Sequence, residues 1–233
     1  MTHLPDPPPT IDCRPLPIFA AGDLAAVRAA FRDATPIPLG QAWLETTAPD
    51  FAPDTVRTGW RGDALLVFAE LSDADIFTRA QQHNDRFWEL GDTFELFLQP
   101  EPGPAYVEFH VTPNNLRLQL RFASPPSTRP AAAGDPFEVS LIHDAAFQSR
   151  TWLNAGAREW CVLAEIPAAS VSDLKADPGG VTISPLAGAI WRFSFSRYDY
   201  TRGREQPVIS STSPHAEPRF HRPHEWGVLR FGA

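Results

Sequence analysis

The stretch Tyr106-Val107-Glu108-Phe109-His110-Val111-Thr112-Pro113-Asn114-Asn115-Leu116-Arg117-Leu118-Gln119-Leu120-Arg121-Phe122 decides the fold. Val107, Phe109 and Val111 alternate with Glu108 and His110, and Leu116, Leu118, Leu120 and Phe122 alternate with Arg117, Gln119 and Arg121. Successive side chains on a strand point to opposite faces, so each series lays one face on a core. Pro113-Asn114-Asn115 between them has the composition of a hairpin turn, which makes the two runs adjacent antiparallel strands.

The same period of two extends along most of the chain. Phe94, Leu96 and Leu98 alternate with Thr93, Glu95, Phe97 and Gln99 before Pro100 stops the run. Ala64 to Leu71 is apolar on both faces apart from Glu70, as a central strand covered on both sides would be. Further strands are expected at Phe137 to Ile142, Phe147 to Leu153, Trp160 to Ile166, Trp191 to Tyr200 and Trp226 to Phe231. Only Leu24, Val27 and Phe31, behind the N-cap candidate Asp23, follow a helical period, which predicts a short helix at one end of the structure. Many short strands without strand–helix alternation predict an all-β antiparallel sandwich, of jelly-roll or immunoglobulin-like type, with a short N-terminal helix. Residues 1–20 read as an extended tail, partly mobile through Pro17, and 21–233 as a single domain. Ser124 to Asp135 and Ser172 to Gly180 read as long loops.

Composition limits the function. Of 233 residues 43% are hydrophobic, enough for one core without a disulfide staple, so Cys13 and Cys161 read as a loop thiol and a strand thiol. The 25 prolines fall between the apolar runs, as strand punctuation requires. A net charge of −8 argues against nucleic acid and anionic membranes, which need a cationic surface. No apolar stretch is long enough to span a bilayer, and Met1 to Pro9 is polar where a secretory leader is apolar. The expected compartment is therefore the cytoplasm, or the periplasm or cell exterior if a signal peptide has been removed.

Catalytic signatures are missing. Glu89, Asp92 and Glu95 are spaced by three, and residues an odd number apart on a strand face opposite ways, which defeats a glycosidase pair. Glu95 and Glu108, on strands that can be neighbours, form the one carboxylate pair that merits a distance check. His221-x-x-His224 would bind metal on a helix, and Pro223 argues against one. Arg197-Tyr198-Asp199-Tyr200-Thr201-Arg202-Gly203-Arg204 reads as a strand running into a solvated hairpin.

Several motifs recur in a fixed order. They are Ser72-Asp73-Ala74-Asp75 after the central strand, Trp88 with Gly-Asp-x-x-Glu-Leu-Phe to Phe97, Tyr-x-Glu-Phe-x-Val-x-Pro from Tyr106 to Pro113, Ala164-Glu165-Ile166-Pro167, and His-Arg-Pro-x-x-Trp-Gly-x-Leu-x-Phe from His221 to Phe231. Together they resemble the family 9 carbohydrate-binding modules and their DOMON-like bacterial relatives, over residues 36 to 231. The resemblance implies a β-sandwich that grips an oligo- or polysaccharide between two aromatic rings over a polar strand face. Trp88 matches the first aromatic, and Phe220 falls where the second is typically a Trp. Glu95 matches a sugar-contacting carboxylate, His110 stands where an Arg is usual, and Glu108 is its neighbour on the same face. Asp73 and Asp75 are candidate ligands for a structural calcium ion, as modules of this kind sometimes have, although a plain turn explains them too. No other cofactor is implied. The reading that emerges is non-catalytic saccharide binding. Its alternatives are a structural or interaction module that has lost the sugar site, and an enzyme built on Glu95 and Glu108.

Overall fold

The computed structural model describes residues 7–124, 136–171 and 186–232. The two long loops expected from sequence therefore lie almost wholly outside the described residues. The strands are β1 (Thr10–Pro15), β2 (Ile37–Pro38), β3 (Thr55–Arg61), β4 (Ala64–Ser72), β5 (Thr93–Pro100), β6 (Tyr106–Val111), β7 (Arg117–Phe122), β8 (Gln148–Asn154), β9 (Glu159–Pro167), β10 (Ile190–Asp199), β11 (Val208–Ser211) and β12 (Gly227–Phe231). The helices are α1 (Leu24–Ala30), α2 (Pro136–Ser140) and α3 (Ala168–Val171).

Two sheets face each other. The first runs β7-β6-β5-β10-β12, with β11 extending the β12 side, and the second runs β3-β4-β9-β8 with β2 beside β3. Their inner faces meet as the alternation predicts. Phe94, Leu96 and Leu98 of β5 and Val107, Phe109 and Val111 of β6 pack on Leu65, Val67, Ala69 and Leu71 of β4 and Val162, Ala164 and Ile166 of β9. β4 is central, paired to β3 on one side and β9 on the other. This β-sandwich is the predicted class.

Four local expectations are corrected. The segment read as a mobile tail contains β1, which joins the sheets: Thr10 to Cys13 pair in parallel with β12, then Arg14 and Pro15 with β3. Ile11 and Cys13 are buried there, so Cys13 is a strand thiol in the core rather than a loop thiol. Helix α1 begins at the expected cap, with Asp23 accepting from the Ala25 N–H at 2.9 Å. It packs on the outer face of the second sheet, where Val27 and Phe31 meet Leu66, Phe68, Cys161 and Leu163, and not at an end of the sandwich. The strand expected from Phe137 to Ile142 is instead α2 followed by a single bridge from Leu141 to Leu120. Proline lacks the N–H that a strand ladder uses and fits the first turn of a helix, which suits Pro136 to start α2.

Arg197 falls in β10, within the strand expected from Trp191 to Tyr200, and its side chain is buried. It lies on the inner face of β10, 1% exposed, and ties the sheets together. Its guanidinium donates to Asp54 at 2.7 Å, to the Ser72 carbonyl at 2.6 Å and to Asp73 at 2.9 Å, with Asp199 at 3.4 Å. Burial of a cation without partners is prohibitive, and these acids supply them.

Candidate functional site

On the outer face of the first sheet the polar residues of the alternating series are buried too. Register places His110 opposite Glu95, Glu108 opposite Phe97 and Leu120, and Tyr106 opposite Phe122. Leu118, Leu120 and Phe122 thus face the same side as Glu108 and His110, and not the inter-sheet core. A second apolar cluster closes over this face, contributed by loops that carry Phe87, Trp88, Trp43, Phe220 and Trp226, together with Phe137 and Leu141 from α2 and its flank. Each loop has an identifiable fastening. Asp92 accepts from the N–H groups of Phe77 at 2.6 Å and Tyr200 at 2.9 Å, and the Tyr200 hydroxyl donates to the Trp88 carbonyl at 2.6 Å. The Trp226 indole donates to the Phe220 carbonyl at 2.8 Å.

Beneath this cover runs a chain of acids and imidazoles. Nδ1 of His110 lies 3.2 Å from Oε1 of Glu95, and its Nε2 lies 3.3 Å from Oε2 of Glu108. The other carboxylate oxygen of Glu108 lies 2.9 Å from Nδ1 of His221, which is 2.7 Å from the Tyr106 hydroxyl. Glu95, Glu108 and His110 are sealed, whereas the His221 side chain is 40% exposed. Environment separates the two acids. Burial pushes Glu95 up to about 7, against the nearby His110. Burial works against ionisation of Glu108 as well, but the charge of His221 and hydrogen bonds from His110 and His221 outweigh it and hold Glu108 at about 2.

Four of the five expected site residues therefore share one locality: Glu95, Glu108 and His110 form the floor, and Trp88 stands on it, half-buried, with its ring 5.7 Å from the His110 ring. Phe220 departs from expectation. It is 4% exposed and wedged among Phe97, Tyr198, His215 and Trp43, so it is a core residue and offers no face to a ligand. The Trp226 bond to its carbonyl draws it inward. Spacing offers His221 only as a metal pair with His224, which is 71% exposed and lies 3.7 Å from Glu225, and so does not reveal it as a site member. The neighbouring Phe220 was the available signal. Tyr106 and Trp43 were likewise passed over.

Asp73 and Asp75, the candidate calcium ligands, are engaged by groups of the chain itself. Asp73 spends its oxygens on Arg197 and the Asp75 N–H, and the Asp75 carboxylate accepts from both the backbone N–H and the guanidinium of Arg202. Asp73 does converge with Asp92 and Asp199, with oxygens within 4.8 Å of one another. The Arg197 guanidinium lies 2.9 Å from Asp73 and 3.4 Å from Asp199 there. Burial and the Asp73 charge push Asp92 up to about 8.

One further network has the order of a nucleophile, base and acid. Oγ of Ser194 lies 3.3 Å from Nε2 of His215, whose Nδ1 lies 2.9 Å from Glu225. Ser194 and His215 are fully buried and Arg222 clamps Glu225 through two bonds of 2.7 Å, so no substrate reaches the hydroxyl. The network fastens the loop that carries Phe220 and His221 to β10.

The fold is that of the family 9 carbohydrate-binding modules. A proposed carbohydrate-binding protein from Bacteroides uniformis superposes with a TM-score of 0.70 at 19% identity, over 96% of this chain and 99% of that one. A family 9 module from Caldicellulosiruptor kristjanssonii in complex with cellotriose gives 0.62 at 15% identity, over 96% and 93%. A family 9 module from the same organism in complex with glucose gives 0.59 at 15% identity, over 95% of each chain. In sequence, an extracellular protein from Arthroderma benhamiae is 26% identical over 165 residues, 66% of this chain and 68% of that protein. No family profile matches the sequence. Among the described residues no helix is long and apolar enough to cross a membrane.

Proposed function

We propose that the protein binds a saccharide without transforming it, on the outer face of the first sheet beside Trp88 and His221. The observation that carries this reading is the organised polar chain from Glu95 to His221 beneath a half-buried indole. Indole faces pack on the apolar C–H patches of a sugar ring, while a fixed polar group orients its hydroxyls. His221 is the member of the chain that reaches solvent, and Glu108 and Tyr106 hold its ring from behind, as a second layer of partners orients a binding imidazole. The likeness to modules that hold cellotriose and glucose supports the same class of ligand.

The split between Glu95 and Glu108 resembles that of an acid and its partner base in a glycosidase. Yet the His110 ring lies between the two carboxyl groups at hydrogen-bond distance from both, and all three are sealed, so a glycosidic oxygen has no way between them. The burial of Phe220 favours a second reading, a sandwich that keeps the fold and has lost the sugar site. Isothermal titration of the intact protein with neutral oligosaccharides separates the two: heat of binding that disappears in Trp88→Ala supports the first, and silence across a broad glycan panel supports the second.

A further inference from the structure

We infer that His215 is a pH-operated latch: neutral, it pins the loop that carries Phe220 and His221 to β10, and protonated it frees that loop, so that the site lets go of its ligand in acid. The release of ligand rests on the saccharide reading of this face; the latch does not.

The hydrogen bonds fix which protons His215 carries. The Ser211 hydroxyl on β11 accepts from Ser196 at 3.2 Å and from the Ser213 N–H at 3.1 Å, so its own hydrogen is left for Ser194, 3.0 Å away. Ser194 in turn donates to Nε2 of His215 at 3.3 Å. Nε2 is therefore a bare lone pair, and the one ring proton sits on Nδ1, which donates to Glu225 at 2.9 Å. The three serines and the imidazole are all buried. A second proton on the ring would face the Ser194 hydroxyl, and each hydroxyl back to Ser196 would have to turn, leaving the last without its acceptor where water does not reach.

Burial pushes His215 below the ordinary histidine value of 6.5, against the pull of Glu225. The oxygens of Glu225 are already held by Arg222 at 2.7 Å each, and the charges of Arg222 and His224 push the same way as burial. On its other sides the ring meets the Ser194 hydroxyl of β10, with Ser211 of β11 behind it, and the Phe220 ring 5.6 Å away. The closed loop is therefore favoured while His215 is neutral and loses that advantage as pH falls below 6.5.

The rest of the loop is built to move as a piece. Arg219 and Arg222 turn back on Glu217 and Glu225 of the same segment. Thr212 is fastened to Phe195 by two bonds, and Trp226 leads into β12, so both ends stay tethered. Between Ser213 and Trp226, His215 and His221 reach the first sheet with polar contacts, and opening at the first shifts the second.

Amide hydrogen exchange of the intact protein reads the latch with no ligand present. Protection of the Ser213 and Glu225 N–H groups is expected to fall about tenfold from pH 7 to pH 5, while that of Val162 in β9 holds. Global stability would not isolate the effect, because Glu95 takes up its proton over the same range. His215→Gln, whose amide offers a donor and an acceptor and does not titrate, should keep the loop protection flat. Cellotriose affinity should fall in acid in wild type and fall less in His215→Gln, which separates His215 from the other imidazoles of the site. Should the variant not fold, wild type decides: the His215 ring resonances should titrate together with the loss of protection. A ring that gains its proton while the loop stays protected would overturn the latch, as would an equal fall in His215→Gln. A loop that opens with cellotriose affinity unchanged would overturn the release. Wild type that binds no neutral oligosaccharide at pH 7 would sink the saccharide reading and the release with it, and the exchange result would still decide the latch.

Discussion

Oε1 of Glu108 sits 2.9 Å from Nδ1 of His221, a sealed carboxylate on β6 against a half-exposed imidazole from the last loop of the chain. The pair couples the floor of the candidate site to its surface. A glutamine in its place keeps one acceptor oxygen for two imidazoles and loses the charge, and a buried hydrogen bond that loses its charged partner costs about 1.5–3 kcal/mol. Glu108→Gln should lower unfolding stability by that amount in urea at pH 7, and should weaken any ligand bound through His221.

The pH dependence of stability follows from the two acids. Glu108, held at about 2 in the folded state, contributes stability that is fully present above the ordinary carboxyl value near 4.5 and is lost as pH falls through 2. Glu95 acts in the opposite sense: its folded value near 7 means the native state binds the proton more tightly than the unfolded chain, so stability declines as pH rises from about 4.5 through 7. Urea midpoints across pH 3–9 should therefore peak on the acid side of neutral. Glu95→Gln should make the alkaline decline shallower; an unchanged alkaline limb would show that Glu95 ionises without cost.

Arg197 predicts a larger effect. Replacing it with Met leaves Asp54 and Asp73 buried without their cation, an outcome worth about 3–5 kcal/mol. Differential scanning calorimetry should show the loss at pH 7, reduced at lower pH as the carboxyl groups take up protons.

Gly91 sits at φ +147°, where side chains are rarely tolerated, and a Cβ there would come within 2.6 Å of the Phe77 carbonyl oxygen and the Thr78 Cα. Gly91→Ala should force the Trp88 loop away from β5. The expected result is a lower melting temperature together with weaker ligand binding, while a variant with full stability and full binding would show that the loop yields freely.

Cys13 and Cys161 are both free and buried, and burial pushes Cys13 up to about 12 and Cys161 higher still. A thiol that stays protonated is a poor nucleophile. Native protein should react with Ellman's reagent only at the rate of unfolding, and with two equivalents once denatured.

The strands were legible because alternation reports which residues share a face. It does not report what covers that face. Leu118, Leu120 and Phe122 do lie on a core, but it is the one on the outer face with Glu108 and His110, under a cover supplied by distant loops. The short run at Thr10 to Pro15 was missed for a related reason: parallel pairing with β12 and β3 joins residues far apart in sequence, and nothing local announces it. At the site, the strand residues Glu95, Glu108 and His110 were placed together by register. The loop residues were harder, because Phe220 is set by the Trp226 indole bond and Trp43 by Gln41, contacts that spacing does not encode.

The most direct test of the saccharide reading is isothermal titration of cellotriose into wild-type protein and into Trp88→Ala at matched fold, verified by melting temperature. The account predicts saturable binding to wild type that is weakened at least tenfold in the variant. Equal affinity in the two proteins would contradict the placement of the ligand beside Trp88, and no binding to wild type by any neutral oligosaccharide would contradict the function itself.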